Sequence, residues 1–137
     1  MNKSLLPLTK FMIVMSAVVP FVFALAMLFA PGFVNSFLWP PPFEPIPAVS
    51  LRYTAAAYLA LTLGGAYMLS QNAWSTARGF LAFAVPYVAI AVPVSLVSAV
   101  TPPGVPPILW LYVFLAIIYV ALSLVAWRQE SARASAA

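Results

Sequence analysis

Four apolar segments of about 20 residues each place the strongest limit on what this chain can fold into. They cover residues 11–30, 51–69, 77–100 and 108–127. A helix rises about 1.5 Å per residue, so about 20 residues cross a hydrocarbon layer about 30 Å thick. No segment alternates with a period of two, and lipid accepts only helices or closed barrels. The sequence therefore predicts an all-α integral membrane protein with four transmembrane helices in a compact up-down bundle.

The composition agrees with a membrane environment. Hydrophobic residues make up 65% of the chain and charged residues 6%, whereas a soluble domain is about half apolar and about a quarter charged. The six basic residues are scattered singly, so a nucleic-acid-binding surface is not indicated. We expect a single membrane domain over residues 1–137, with membrane lipids and not nucleic acid as partners.

The connecting segments predict the orientation. The loop at 31–50 is long, those at 70–76 and 101–107 are short, and the polar tail at 128–137 is expected to be loose. The first apolar segment is longer than the core of a signal peptide, so we expect it to be retained as a helix. Five of the six basic residues fall on the side that holds both termini: Lys3, Lys10, Arg78, Arg128 and Arg133. The positive-inside rule then predicts cytoplasmic termini, in what we expect to be a bacterial cytoplasmic membrane.

Small residues at helical spacing predict how the helices pack, because close backbone approach brings helices together in lipid. The second and third segments each carry one such stripe. The residues are Ala56, Ala60 and Gly64 in the second segment, and Ala82, Pro86, Ala89 and Pro93 in the third. We expect both stripes to line the bundle interior, with Pro86 and Pro93 bending the third helix. The alternative is that one stripe docks another subunit.

The loop at 31–50 combines aromatic residues with prolines. Phe33 and Phe37 are four apart, which indicates a short interfacial helix. Residues 40–47 include five prolines and must be extended and stiff. Such a surface suits contact with a partner, through Trp39, Phe43 and Glu44, or it simply caps the bundle. Arg52, just after this loop, can pair with Glu44, a lipid phosphate or a substrate carboxylate.

A polar strip follows one side of the second segment. Thr54, Tyr58 and Thr62 are spaced by four and, with Tyr112 and Tyr119 of the fourth segment, can line a pocket for a lipid or quinone. The alternative is that these hydroxyls bond to neighbouring helices, as is usual in lipid.

The chemistry available to the side chains is limited. The chain has no histidine, no cysteine and no aspartate, and Glu44 and Glu130 are its only acids. We therefore expect no metal or haem ligands, no cofactor and no catalysis by this chain. The sequence, which contains no motif specific to a known family, predicts an accessory, assembly or scaffolding subunit of a larger membrane complex, bound to other membrane subunits or to itself. The alternative is a binder or carrier of a lipophilic small molecule, between the second, third and fourth segments.

Overall fold

The computed structural model describes residues 4–100 and 104–136, apart from the side chains of Ala84 and Ala99. This part of the chain is all-helical, which confirms the predicted all-α class. The helices are α1 (Pro7–Phe29), α2 (Pro31–Leu38), α3 (Ala48–Gln71), α4 (Trp74–Val100) and α5 (Ile108–Ser135). Lys3 and residues 101–103, which entered the predictions of orientation and of the third loop, lie outside the described residues.

Among the described residues, three helices are long and apolar enough to cross a membrane: α1, α4 and α5. This is consistent with a membrane protein, and the three helices correspond to the first, third and fourth predicted segments. The second segment forms α3, which is 24 residues long. It is less apolar because it contains Arg52, three tyrosines and two threonines. A crossing by α3 therefore has to be argued from its packing and not from its composition.

The helices α1 and α3 are the most extensively packed pair and run antiparallel. At one end, Ala24 of α1 and Ala55 of α3 belong to the same buried cluster, together with Val34 of α2. At the other end, Ile13 of α1 belongs to a second buried cluster, and Met68 of α3 packs against this cluster. We call these ends the α2 end and the terminal end, since the first and last described residues lie at the second one. The contact between α1 and α3 therefore extends over nearly the full length of both helices.

The backbones of α1 and α3 approach most closely at Gly65. A Cβ atom at Gly65 would lie 2.8 Å from the Cβ of Ala17, so only glycine fits there without a shift of one helix. The hydroxyl of Thr62 lies 3.0 Å from the carbonyl oxygens of both Ala17 and Tyr58 and donates to them. Close approach and a hydrogen bond across the seam are the interactions that join helices in lipid.

The predicted packing face of α3 is wrong. The buried residues of this helix are Leu51, Ala55 and Gly65, whereas Ala56 and Ala60 are exposed. At about 100° per residue, the predicted stripe lies about 180° around the helix from the buried residues, on its opposite side. Because small residues occur on nearly every side of α3, their spacing alone did not select the face that meets α1.

The helix α4 lies at the periphery of the bundle. It packs against α5, where the Trp74 and Trp127 rings meet edge to face at 5.2 Å, and less extensively against α3. Of the residues in the apolar stretch of α4, 6% are buried within the chain, compared with 28% in the apolar stretch of α1. The helices thus follow the order α1, α3, α4, α5 around the bundle, and the bundle is less compact than predicted.

The small-residue stripe of α4 also departs from the prediction. Ala82, Pro86, Ala89 and Pro93 are all exposed, and Leu81 is buried instead. The stripe lies about 200° around the helix from Phe80, whose ring faces Gly64 of α3. It is therefore turned out of the bundle, because Leu81 and its neighbours already supply the contact with the rest of the chain.

The polar tail, expected to be loose, is helical: α5 continues to Ser135. Its arginines, glutamine, glutamate and alanines favour helix, and two of its side chains bind the start of the chain. The carboxylate of Glu130 accepts a hydrogen bond of 2.7 Å from the Leu6 N–H, and Arg133 donates one of 2.9 Å to the Ser4 carbonyl. These contacts tie the tail of α5 to the first turn of α1.

Candidate functional site

At the α2 end, the proline-rich loop is attached firmly to α2. The side-chain NH₂ group of Asn35 donates to the backbone carbonyl of Ile46, and the Ile46 N–H donates to the side-chain Oδ1 of Asn35. Both distances are 2.9 Å. Val34 of α2 is buried in the cluster that also contains Ala24 and Ala55. Phe33 and Phe37 stack on each other and remain exposed. The short helix predicted from these two phenylalanines is present as α2. The loop is thus held in one position relative to the bundle.

A cleft of about 600 Å³ lies beside this loop, within the size range of small-molecule sites. It is lined by Trp39, Pro42, Phe43, Glu44 and Gly104. The rings of Trp39 and Phe43 meet at 66° with their centroids 6.4 Å apart. The structure therefore brings together three residues that the sequence indicated as contact residues, Trp39, Phe43 and Glu44.

Arg52 does not join this group. It is exposed in the first turns of α3 and does not line the cleft. In the part of the chain that the structure describes, neither Arg52 nor Glu44 forms an ion pair, so the pairing between them, one of the three possibilities for Arg52, is absent. The Glu44 carboxylate is exposed at the edge of the cleft and is not neutralised by a described basic side chain.

Most of the hydroxyl groups in the predicted polar strip and its partners form hydrogen bonds within or between helices. Thr54 is exposed and donates to the carbonyl of Ser50, within its own helix. Thr62 belongs to the α1–α3 contact. Tyr119 of α5 lies 2.7 Å from the hydroxyl of Ser16 in α1; since Ser16 donates to the Met12 carbonyl, Tyr119 is the donor. Thr62 and Tyr119 therefore make interhelical hydrogen bonds, the alternative reading of this strip.

Tyrosines from three helices remain close to one another. The hydroxyl groups of Tyr58 in α3, Tyr87 in α4 and Tyr112 in α5 are near enough to interact electrostatically. Beside them, α3 and α4 touch where the ring of Phe80 faces Gly64, but Ala60, one turn further along α3, is exposed. The helices α3, α4 and α5 thus each contribute one tyrosine hydroxyl to this part of the bundle.

Several polar residues that the sequence reasoning missed organise the terminal end. Glu130 is only 3% exposed and holds Leu6, while Asn72 accepts a hydrogen bond of 3.2 Å from the Leu5 N–H. Glu130 is the one acid in the second half of the chain, a signal that pointed to a role for this residue but not to its partner. Among the described residues, Thr9 and Ser123 have buried hydroxyl oxygens without a hydrogen-bond partner.

Within the described residues, no group of three or more histidine, cysteine, aspartate or glutamate side chains comes together. Comparison with known proteins finds no matching family model, no matching curated protein and no matching solved structure.

Proposed function

We propose that the chain is a non-catalytic accessory, assembly or scaffolding subunit of a larger membrane complex, and that it resides in a bacterial cytoplasmic membrane. The observation that carries this proposal is the outward-facing stripe of α4. Exposed positions on a membrane helix require only apolar side chains, whereas Ala82 and Ala89 are small and allow another backbone to approach closely. With so few of its residues buried within the chain, α4 is the helix with most surface left for another subunit.

Four crossings with cytoplasmic termini are part of this proposal. Packing supports a crossing by α3, because this helix accompanies α1 from Ala24 at the α2 end to Ile13 at the terminal end. A helix that lies antiparallel along a spanning helix over this length crosses the same layer. The basic residues support the orientation: Lys10, Arg78, Arg128 and Arg133 belong to the terminal end, and Arg52 to the α2 end.

Native size tests the subunit proposal. In a mild maltoside detergent, the purified protein is expected to have a protein mass larger than one chain by light scattering. Ala82→Leu combined with Ala89→Leu should reduce that mass, because leucine prevents close approach at the stripe. Ala121→Leu, at an exposed alanine of α5, is the matched control and should leave it unchanged. A wild-type protein that runs as a single chain would contradict the proposal.

Cysteine labelling tests the orientation separately. Ser36 in α2 and Ser75 at the start of α4 are both exposed, and the chain has no native cysteine. A membrane-impermeant maleimide applied to intact cells should label Ser36→Cys and spare Ser75→Cys until the membrane is opened. The reverse pattern would place the termini outside.

The region between α3, α4 and α5 supports a second candidate function, the binding or carriage of a lipophilic small molecule. The tyrosines at 58, 87 and 112 offer hydroxyl groups to its polar part. Mass spectrometry of co-purified lipids should then find one class enriched over the bulk membrane. Tyr58→Phe with Tyr112→Phe should abolish the enrichment and Tyr53→Phe, at an exposed tyrosine, should not. An unselective lipid profile would leave this function without support.

A further inference from the structure

The cleft at the α2 end has a composition suited to one chemical class of ligand. It is lined by Trp39 and Phe43, whose rings meet at 66°, and by the exposed acidic residue Glu44. Aromatic faces attract cations through their negative π-faces, most strongly when the cation is desolvated, and tryptophan is the best of the three aromatic side chains. A carboxylate adds a full negative charge.

We propose that this cleft binds an organic cation, of the quaternary or primary ammonium class. Glu44 is the one charged residue among those that line the cleft, in a chain whose net charge is +4. An anionic ligand would meet this carboxylate and the negative faces of both rings. An alkylammonium group is attracted by all three, and its methyl or methylene groups fit the apolar surface of Pro42 and the ring edges.

Several contacts restrain the loop that lines the cleft. Prolines flank Phe43 and Glu44 on both sides, and the Phe43 N–H donates to the Pro40 carbonyl at 3.2 Å. The two hydrogen bonds between Asn35 and Ile46 hold the loop at its far end. A site fixed in this way loses little conformational entropy on binding. The proposal does not depend on the proposed function, because the cleft lies on the loop and not on α4.

The test uses the full chain labelled with 5-fluorotryptophan in maltoside micelles, followed by ¹⁹F NMR. The chain has four tryptophans, so Trp39 gives one resonance, assigned by Trp39→Phe, and the other three serve as internal references. Choline chloride is expected to shift the Trp39 resonance saturably, with a dissociation constant on the order of millimolar. Its neutral isostere, 3,3-dimethylbutanol, should not.

Variants separate the charge from the rings. Glu44→Gln should weaken choline binding roughly three-fold, and Phe43→Leu by a similar factor. Phe33→Leu is the matched control, since Phe33 is an exposed aromatic of the same region that does not line the cleft, and it should bind choline normally. A Trp39 resonance that does not respond to choline, responds equally to dimethylbutanol, or responds equally in Glu44→Gln overturns the proposal.

The same cation group occurs in free amines and in lipid headgroups, and nanodiscs distinguish these sources. If the occupant is a lipid headgroup, the Trp39 resonance in phosphatidylcholine nanodiscs will already lie at its choline-saturated position and will not move on titration. If the occupant is a free cation, choline will shift it alike in phosphatidylcholine and phosphatidylglycerol nanodiscs. Absence of both patterns contradicts a cation site.

Discussion

The helices α3 and α4 follow one another in the chain, have 24 and 27 residues and are both rich in small residues, yet they use those residues in opposite ways. In α3, Ala55 and Gly65 are buried against α1 in both halves of the helix, whereas in α4 the buried Ala77 lies in the first turn, and Ala82 and Ala89 beyond it are turned out of the bundle. The difference shows that a stripe of small residues does not by itself determine where a helix packs. The surface of the neighbouring helix determines whether such a stripe is buried.

The partner of α3 offers what a small-residue seam requires. Ala17 of α1 is itself small, and its carbonyl oxygen accepts the hydrogen bond of Thr62 at 3.0 Å. Shape and hydrogen bonding thus agree at one turn of the seam, where Gly65 permits the approach. The stripe of α4 has no such counterpart among the described residues of the chain, which is the reason to seek its partner elsewhere.

The largest effect is expected where the α1–α3 seam is tightest. Gly65→Ala would bring two Cβ atoms to 2.8 Å, and the backbones must separate, at a cost of about 1–3 kcal/mol in the free energy of unfolding. Gly64→Ala is the matched control: its Cβ meets only the Phe80 ring at 3.8 Å, and alanine favours helix by up to about 1 kcal/mol. Unfolding in sodium dodecyl sulfate measures the stability of both variants. Equal stabilities would contradict the close approach of α1 and α3 at Gly65.

The next effect concerns the tie between α5 and the start of α1. Glu130→Ala leaves the Leu6 N–H without its charged acceptor and, because this hydrogen bond is only partly buried, is expected to cost about 1–2 kcal/mol. Gln129→Ala, at an exposed position beside it, should change the free energy of unfolding by less than about 0.5 kcal/mol. If both variants unfold alike, the hydrogen bond between Glu130 and Leu6 contributes nothing to the stability of the chain.

The sequence was sufficient for the helical class and for three helices long and apolar enough to cross a membrane, because about 20 apolar residues in a row admit few structures in lipid. It was not sufficient for the faces. Membrane helices are apolar on all sides, so the amphipathic signal that selects a buried face in a soluble helix is missing. The wrong face predicted from Ala56 and Ala60 and the outward turn of Ala89 both follow from this.

The candidate site was only partly predictable, because residues that are close in the chain reveal their contacts and distant residues do not. Residues 39–44 are neighbours in the chain, so proximity of Trp39, Phe43 and Glu44 could be expected from the stiff loop alone. The contacts of Glu130 with Leu6 and of Tyr119 with Ser16 join residues more than 100 positions apart. Nothing in the local pattern indicates such pairs, because they depend on which helices become neighbours.

A smaller effect is expected at the hydrogen bond between α1 and α5. Ser16→Ala removes the acceptor of the Tyr119 hydroxyl and should cost about 0.6 kcal/mol, the average for interhelical hydrogen bonds in membranes. Ser123→Ala is its control, since that buried hydroxyl has no hydrogen-bond partner in the described structure, and its loss should be neutral or stabilising. A double-mutant cycle of Ser16→Ala with Tyr119→Phe measures the coupling energy of the pair. A coupling energy of zero would mean that this hydrogen bond does not stabilise the bundle.

The smallest effect sharpens the contrast most. Ala89→Leu adds bulk to a position that faces away from the bundle, so the unfolding free energy of the isolated chain in detergent should change by less than about 0.5 kcal/mol. Ala55→Leu adds the same bulk to a position that is 0% exposed and should cost about 1–3 kcal/mol. Comparable losses in both variants would mean that α4 turns its stripe inward, and that both helices use small residues within the chain. A loss confined to Ala55→Leu leaves the α4 stripe as a surface that can be altered without harming the fold, which is the property required of a docking face for another subunit.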